Sequence, residues 1–156
     1  MKEIVKHYVT FGEHGMCVDV DALERNSMYR EAAIQSAVKQ IKGKPDSCVF
    51  LPSYKEGSAL GPFINGLVMH PEVKNLKTTN IKDVLKMNVE EVLVVKQSFK
   101  TGAGLKRIIG VLKSHGFKVS VFCLVAHSST ELERYAYENG IEASAAVSLD
   151  EIPYVK

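Results

Sequence analysis

Glu91-Val-Leu-Val-Val-Lys-Gln-Ser-Phe-Lys-Thr-Gly-Ala-Gly-Leu105 is the stretch on which the fold turns. Its opening, Glu91 to Val95, is continuously apolar after the first residue. That pattern suits a strand covered on both faces, not one with a wet side. Lys96 to Gly104 then reads as a loop with two glycines, leading into a helix from about Leu105 to Ser114. His115-Gly116 supplies that helix with a C-terminal stop. A buried strand that passes through a glycine-rich turn into a helix is the repeating unit of a parallel α/β sheet.

The same unit recurs on either side. Lys118 to Ala126 is a second buried strand, Ser129 and Glu131 to Tyr137 suggest a capped helix ended by Asn139-Gly140, and Ala143 to Val147 is a last short strand before Leu149-Asp-Glu-Ile152. Upstream, Ser47 to Leu51 is a strand candidate, followed by a loop from Pro52 to Gly57 and a helix from about Ser58 to Val68. Ala33, Ile34, Ala37, Val38 and Ile41 form one apolar stripe on a helix that Asn26 or Ser27 can cap and Gly43-Lys-Pro45 ends. Cys17-Val-Asp-Val20 reads as a short strand. Met69 to Met87 is the least regular part, with Asn80 capping a short helix that carries Ile81, Val84 and Leu85. Strands alternating with helices predict an α/β fold: a single domain over residues 1–156 with a mainly parallel, twisted sheet of about five strands and helices on both faces.

Composition agrees with that expectation and narrows the partners. The 156 residues are 46% apolar and 24% charged, which is globular and not disordered. A net charge of +2 is too small to argue for nucleic acid. The apolar runs Val92–Val95 and Val121–Ala126 fall far short of the roughly 20 residues that cross a bilayer. Met1 to Tyr8 holds no apolar region of signal-peptide length, so a cytoplasmic protein without a membrane partner is expected. Cys17, Cys48 and Cys123 are odd in number, far apart and flanked by apolar residues, and are expected to be small buried hydrophobes. The five histidines have no i, i+4 pairing, so no metal site is expected.

Two loops carry the candidate chemistry. In the first, Gly102 and Gly104 admit a close approach of the backbone to a ligand, and the helix start offers free N–H groups and the positive end of its dipole. Lys100, Thr101, Gly102, Ala103 and Gly104 are therefore the expected phosphate cradle; a plain strand-to-helix turn accounts for the glycines equally well. The spacing is neither a Walker A loop nor Gly-x-Gly-x-x-Gly. In the second, Pro52-Ser-Tyr-Lys-Glu-Gly57, a lysine close to a glycine after a buried strand could meet a second phosphate group, or the segment could simply be an exposed polar loop.

Together the loops resemble those of the type I phosphoribosyltransferases. Gln97-Ser-Phe-Lys-Thr-Gly-Ala-Gly-Leu105 after Val-Leu-Val-Val is similar to that family's phosphoribosyl pyrophosphate motif. Pro52-Ser-Tyr-Lys55 with Gly57 is similar to the pyrophosphate loop of orotate phosphoribosyltransferases, Gly-Pro-Ala-Tyr-Lys-Gly. Phe11-Gly-Glu13 with the Cys17–Val20 segment, the strand at Phe117–Phe122, Gly140-Ile-Glu-Ala143 and Ser148–Ile152 fit the same enzyme in order, over nearly the whole chain. The resemblance implies a nucleotide or phosphoribosyl pyrophosphate ligand, magnesium if the chain is catalytic, and a homodimer.

The departures from the pattern are as informative. The family's two acidic residues, which bind the ribose hydroxyls, are replaced by Lys96 and Gln97. The base-binding stretch expected between His14 and Cys17 is missing, and Met69 to Met87 lacks the basic loop that closes over pyrophosphate, so the hood is at most rudimentary. A cation facing the cleft at Lys96 would oppose a positively charged transition state by about 3 kcal/mol at ~5 Å and an effective dielectric near ~20, roughly a hundredfold in rate. The leading expectation is a protein that binds a 5′-phosphate and has lost catalysis. The alternative is an active phosphoribosyltransferase, with orotate the first base to test and Glu56, Glu91, Asp19 or Asp21 standing in for the lost acids. A third reading is an interaction module whose loops bind nothing.

Overall fold

The structure, a computed structural model, describes residues 2–13, 15–41, 48–50, 62–73 and 77–152. The chain opens with α1 (Lys2–Lys6) and an antiparallel hairpin of β1 (Val9–Gly12) and β2 (Gly15–Val18). It continues through α2 (Val20–Arg25), α3 (Ser27–Ile41), β3 (Cys48–Phe50) and a helix over residues 62–68, here α4. Then come β4 (Lys77–Thr79), α5 (Ile81–Val84), β5 (Glu91–Phe99), α6 (Ala103–Ser114), β6 (Lys118–Ala126), α7 (Ser129–Asn139) and β7 (Glu142–Ser148), closed by a 3-10 turn, Leu149–Glu151.

Five strands form one sheet in the order β4-β3-β5-β6-β7, and every pairing in it is parallel. The period-2 alternation of a strand divides the core between two faces. Leu93 and Val95 of β5, with Phe122 and Leu124 of β6, pack with Tyr29, Ala33, Ala37 and Phe63 from α3 and α4. Val92, Val94, Val121 and Cys123 pack on the other face with Leu105, Ile109 and Leu112 of α6 and Leu132 of α7. The α6 positions repeat at four and three residues, the spacing of one helical stripe. The α/β fold, with a parallel five-stranded sheet and helices on both faces, is thus as expected from the alternation of apolar runs.

Several boundaries follow their caps. Asn26 Oδ1 accepts from the Tyr29 N–H at 3.1 Å, Asn80 Oδ1 from Asp83 at 2.8 Å, and Ser128 Oγ from Glu131 at 3.2 Å. Gly140 closes α7 in the left-handed region at φ 60°.

Four expectations need correction. Lys96 to Phe99 are strand, not loop: β5 keeps pairing with β6, from Lys96 opposite Cys123 to Phe99 opposite Ala126. A neighbouring strand that satisfies the backbone overrides the polar side chains of this segment. The short strand read at Cys17–Val20 ends at Val18, because Asp19 caps α2, its Oδ1 accepting from the Ala22 N–H at 3.0 Å. The polar run Lys77–Thr79 is a strand, the edge strand β4 beside β3; an edge needs no apolar alternation on its open side. Finally, Cys17 is an exposed free thiol, whereas Cys123 is buried as expected; the side chain of Cys48 lies outside what is described.

Candidate functional site

The strand order itself locates a crevice. From β3 the chain goes to β4 on one side and returns to β5 on the other. The topological switch point therefore lies between β3 and β5, and in open parallel sheets ligands bind outside the carboxyl ends of the strands there. The two loops singled out in the sequence follow those two strands. Tyr54 and Lys55, on the loop after β3, lie outside the described residues.

Lys100 and Thr101 form the exposed turn, and Gly102 is the N-cap of α6 with φ 78°. Ala103 and Gly104 are not loop, as expected, but the first turn of α6, which starts two residues earlier than Leu105. Leu105 N–H donates to the Gly102 carbonyl at 3.0 Å, and no side chain caps the helix from Gly102. The N–H groups of a first helical turn have no intrahelical partner. Thr101 Oγ1 accepts from the Ala103 N–H at 3.4 Å, so the hydroxyl already stands over this turn.

Gly102 also meets a steric demand invisible in the local pattern. It is buried, and a Cβ there would come within 2.4 Å of the Tyr135 ring on α7. Tyr135 packs edge-on against Phe99 at 5.3 Å between ring centroids. Its hydroxyl is buried with no hydrogen-bond partner among the described residues, and desolvation raises its pKa. His127 donates its backbone N–H to the Phe99 carbonyl at 2.9 Å. Burial, and then the Lys100 charge, lower the imidazole pKa. Neither Tyr135 nor His127 is signalled by sequence spacing, since both reach the turn from other elements.

Lys96 and Gln97 diverge, as neighbours on a strand must. Lys96 continues the Val92–Val94 face towards α6, and its Nζ lies 3.8 Å from where a Cβ on Gly104 would stand. Its ammonium thus sits beside the first turn of α6 rather than turning away from the site. Gln97 continues the opposite face and donates from Nε2 to Asp21 Oδ1 of α2 at 2.6 Å. Of the four acids weighed as replacements for an acidic pair, Asp21 is the one that meets the carboxyl-terminal part of β5 among the described residues. Asp19 is engaged as the α2 cap, Glu91 stands at the amino end of β5, and Glu56 lies outside the described residues.

Beneath Asp21 the same helix buries Glu24, 2% exposed, with no hydrogen bond of normal geometry to either carboxylate oxygen among the described residues. Burial first, then the Asp21 charge, push its pKa up to about 7, against the opposing influence of Arg30 and the Phe63 main chain. Arg30 itself donates to the Glu24 backbone carbonyl at 3.3 Å.

No family model and no curated protein sequence matches this chain. Solved structures do match. Orotate phosphoribosyltransferase from Aeropyrum pernix superposes with a TM-score of 0.63 at 16% identity, covering 97% of this chain and 95% of that one. The fold is that of the type I phosphoribosyltransferases. Adenine phosphoribosyltransferase from Thermoanaerobacter pseudethanolicus matches at TM-score 0.65 and 12% identity, over 96% of this chain and 100% of that one. The orotate phosphoribosyltransferase of Mycobacterium tuberculosis, in complex with inorganic phosphate, matches at TM-score 0.58 and 15% identity, over 97% and 95%. The fold expected from the two loops is therefore the observed one.

Proposed function

We propose that this phosphoribosyltransferase-like chain binds the 5′-phosphate of a nucleotide or of phosphoribosyl pyrophosphate at the start of α6, and transfers no phosphoribosyl group at an appreciable rate. Lys100, Thr101, Gly102, Ala103 and Gly104 hold the phosphate in this reading, with Tyr54 and Lys55 on the pyrophosphate side. The observation that carries it is the Lys96 ammonium beside the first turn of α6. That charge adds to the helix dipole in favouring an anion. The same charge opposes a sugar that becomes positive as its leaving group departs.

A second reading has an observation of its own. Asp21 on Gln97 puts a carboxylate back at the end of β5, where an active enzyme would need one. Under this alternative the chain makes a nucleotide from phosphoribosyl pyrophosphate and a base, orotate first, with magnesium. Magnesium is commonly held by one or two carboxylates together with substrate phosphates. In this reading Asp21 and the ligand's own phosphates would share the ion. Its role would be to neutralise the departing pyrophosphate.

Under either reading the chain is one cytoplasmic domain that forms a homodimer. Among the described residues no helix is long and apolar enough to cross a membrane. The deciding experiment combines two measurements on the native chain. Calorimetry with inorganic phosphate and nucleoside monophosphates tests binding. Pyrophosphate release from phosphoribosyl pyrophosphate, with magnesium and a panel of bases, tests turnover. Binding without pyrophosphate release is expected. Robust orotidine monophosphate formation would replace the first reading with the second, and the absence of any phosphate binding would defeat both.

A further inference from the structure

We propose that the outer faces of α6 and α7 together form a self-complementary surface on which a second copy of this chain docks, Tyr137 of each copy entering the cleft over Gly110 of the other. The inference rests on the homodimer reading above and adds to it the face that is used; the phosphate reading does not enter.

The two helices lie side by side on one face of the sheet. They join β5 to β6 and β6 to β7, three neighbouring parallel strands, and so run in the same direction. Leu105, Ile109 and Leu112 of α6 and Leu132 of α7 are buried in one cluster, which turns the opposite sides of both helices outward together. Lys113 fixes their relative height: its Nζ donates to the Asn139 carbonyl and, at 3.3 Å, to that of Gly140. Gly110 lies three residues before Lys113, and Tyr137 lies two before Asn139. At ~1.5 Å per helical residue, the two stand at about the same height along the pair. Lys106 is then one turn before Gly110, as Glu133 is one turn before Tyr137.

Three features select the occupant. The first is shape. Lys106, Arg107, Gly110, Val111 and Ser114 line a shallow cleft of about 580 Å³ on α6, with Ala103 at its upper end. A Cβ on Gly110 would meet nothing within 4 Å. Glycine inside a helix costs stability relative to alanine. Nothing among the described residues requires it at this position, whereas a side chain entering from outside does. The second is the counterpart: Tyr137 is 89% exposed on the neighbouring helix. An amphipathic ring of this kind is a favoured anchor at interfaces. The third is charge. Lys106 and Arg107 are exposed beside the cleft, Glu133 and Glu138 are exposed beside Tyr137, and none of the four has an ion pair among the described residues. Arg134 is paired with Glu131 within α7. The α6 face is thus cationic and the α7 face anionic, which suits one to the other and neither to itself. A two-fold axis lying between the helices and along them lays α6 of one copy on α7 of the other and leaves every height unchanged. Tyr137 then meets Gly110, and the carboxylates meet the cations, twice over.

The test is sedimentation velocity of the full chain over a concentration series. A face of two short helices is near the lower limit of area for a specific interface, so a dimer with a micromolar dissociation constant is expected. It is expected to weaken at high salt, because the paired charges are at the surface. Tyr137→Ala is expected to weaken the dimer by at least about tenfold. Gly110→Leu fills the cleft and is expected to weaken it by a similar factor, while raising the Tm of the dilute, monomeric chain, since it replaces an exposed helical glycine. Those opposite signs separate a lost interface from a misfolded chain. Reversing Lys106 and Arg107 to Glu, or Glu133 and Glu138 to Lys, is expected to weaken the dimer about tenfold in each case, and all four reversals in one chain to recover most of the affinity. A native chain that stays monomeric throughout the series overturns this inference and the homodimer reading together. A dimer indifferent to Tyr137→Ala and Gly110→Leu overturns the α6–α7 face and leaves the homodimer reading standing.

Discussion

Glu24 is the residue whose burial is hardest to reconcile with stability alone. An ionised carboxylate without a hydrogen bond in a packed interior is costly, so the group keeps its proton to higher pH. Its pKa rises from the ordinary 4.5 to about 7, chiefly through desolvation. The folded state then binds more protons than the unfolded state between these two values. Its contribution is therefore fully present below about pH 4.5, and is lost as the pH rises towards 7. The loss is on the order of 3 kcal/mol over the window. Glu24→Gln is expected to remove this dependence, making the variant more stable than the native chain at pH 8 but not at pH 5. Urea unfolding at the two pH values checks it; parallel profiles for the two proteins would show that Glu24 does not titrate as described.

At the level of elements, the junction of β5 and α6 concentrates the constraints. Gly102 combines a positive φ of 78° with a Tyr135 ring where a Cβ would stand, so two independent demands exclude a side chain. Gly102→Val is expected to abolish phosphate binding and to destabilise the chain as well. Gly104→Ala separates the two effects, because its Cβ would make only an ordinary 3.8 Å contact with Lys96 Nζ. Calorimetry of both variants with inorganic phosphate is the measurement. Unchanged affinity in Gly102→Val would show that the turn is not the anion site. The β5 strand shows the converse constraint, since the polar residues Lys96, Gln97 and Ser98 are held extended by β6 regardless of their own preference.

At the scale of the molecule, the buried residues among those described form two cores, one on each face of the sheet. Phe122 of β6 and Phe63 of α4 stack at 5.7 Å with an interplanar angle of 4°, both fully buried. This pair ties α4 to the sheet. Phe122→Ala is expected to cost ~3–5 kcal/mol through lost burial and the cavity left behind. For a domain of this size, that lowers Tm by roughly 10 °C. A melt shifted by less than about 2 °C would contradict the packing described.

The period of the apolar residues determined the elements. Continuous runs such as Val92–Val95 and Val121–Ala126 have the pattern of covered strands, and the stripes of α3 and α6 that of helices facing them. Asn26 and Asn80 marked helix starts because capping is a contact over three residues, whereas the last helix, read from Ser129, is capped one residue earlier by Ser128. Gly102 and its neighbours marked a turn able to approach a ligand for the same local reason. Tertiary structure alone decided where β5 stops, since only the pairing with β6 keeps Lys96 to Phe99 extended. It alone made a strand of Lys77–Thr79, through β3, and brought Tyr135 to Gly102 and Asp21 to Gln97 across 76 residues of chain. No spacing rule reaches that far: local patterns encode which face of an element is buried, whereas the partner on that face is selected by the packing of the whole sheet.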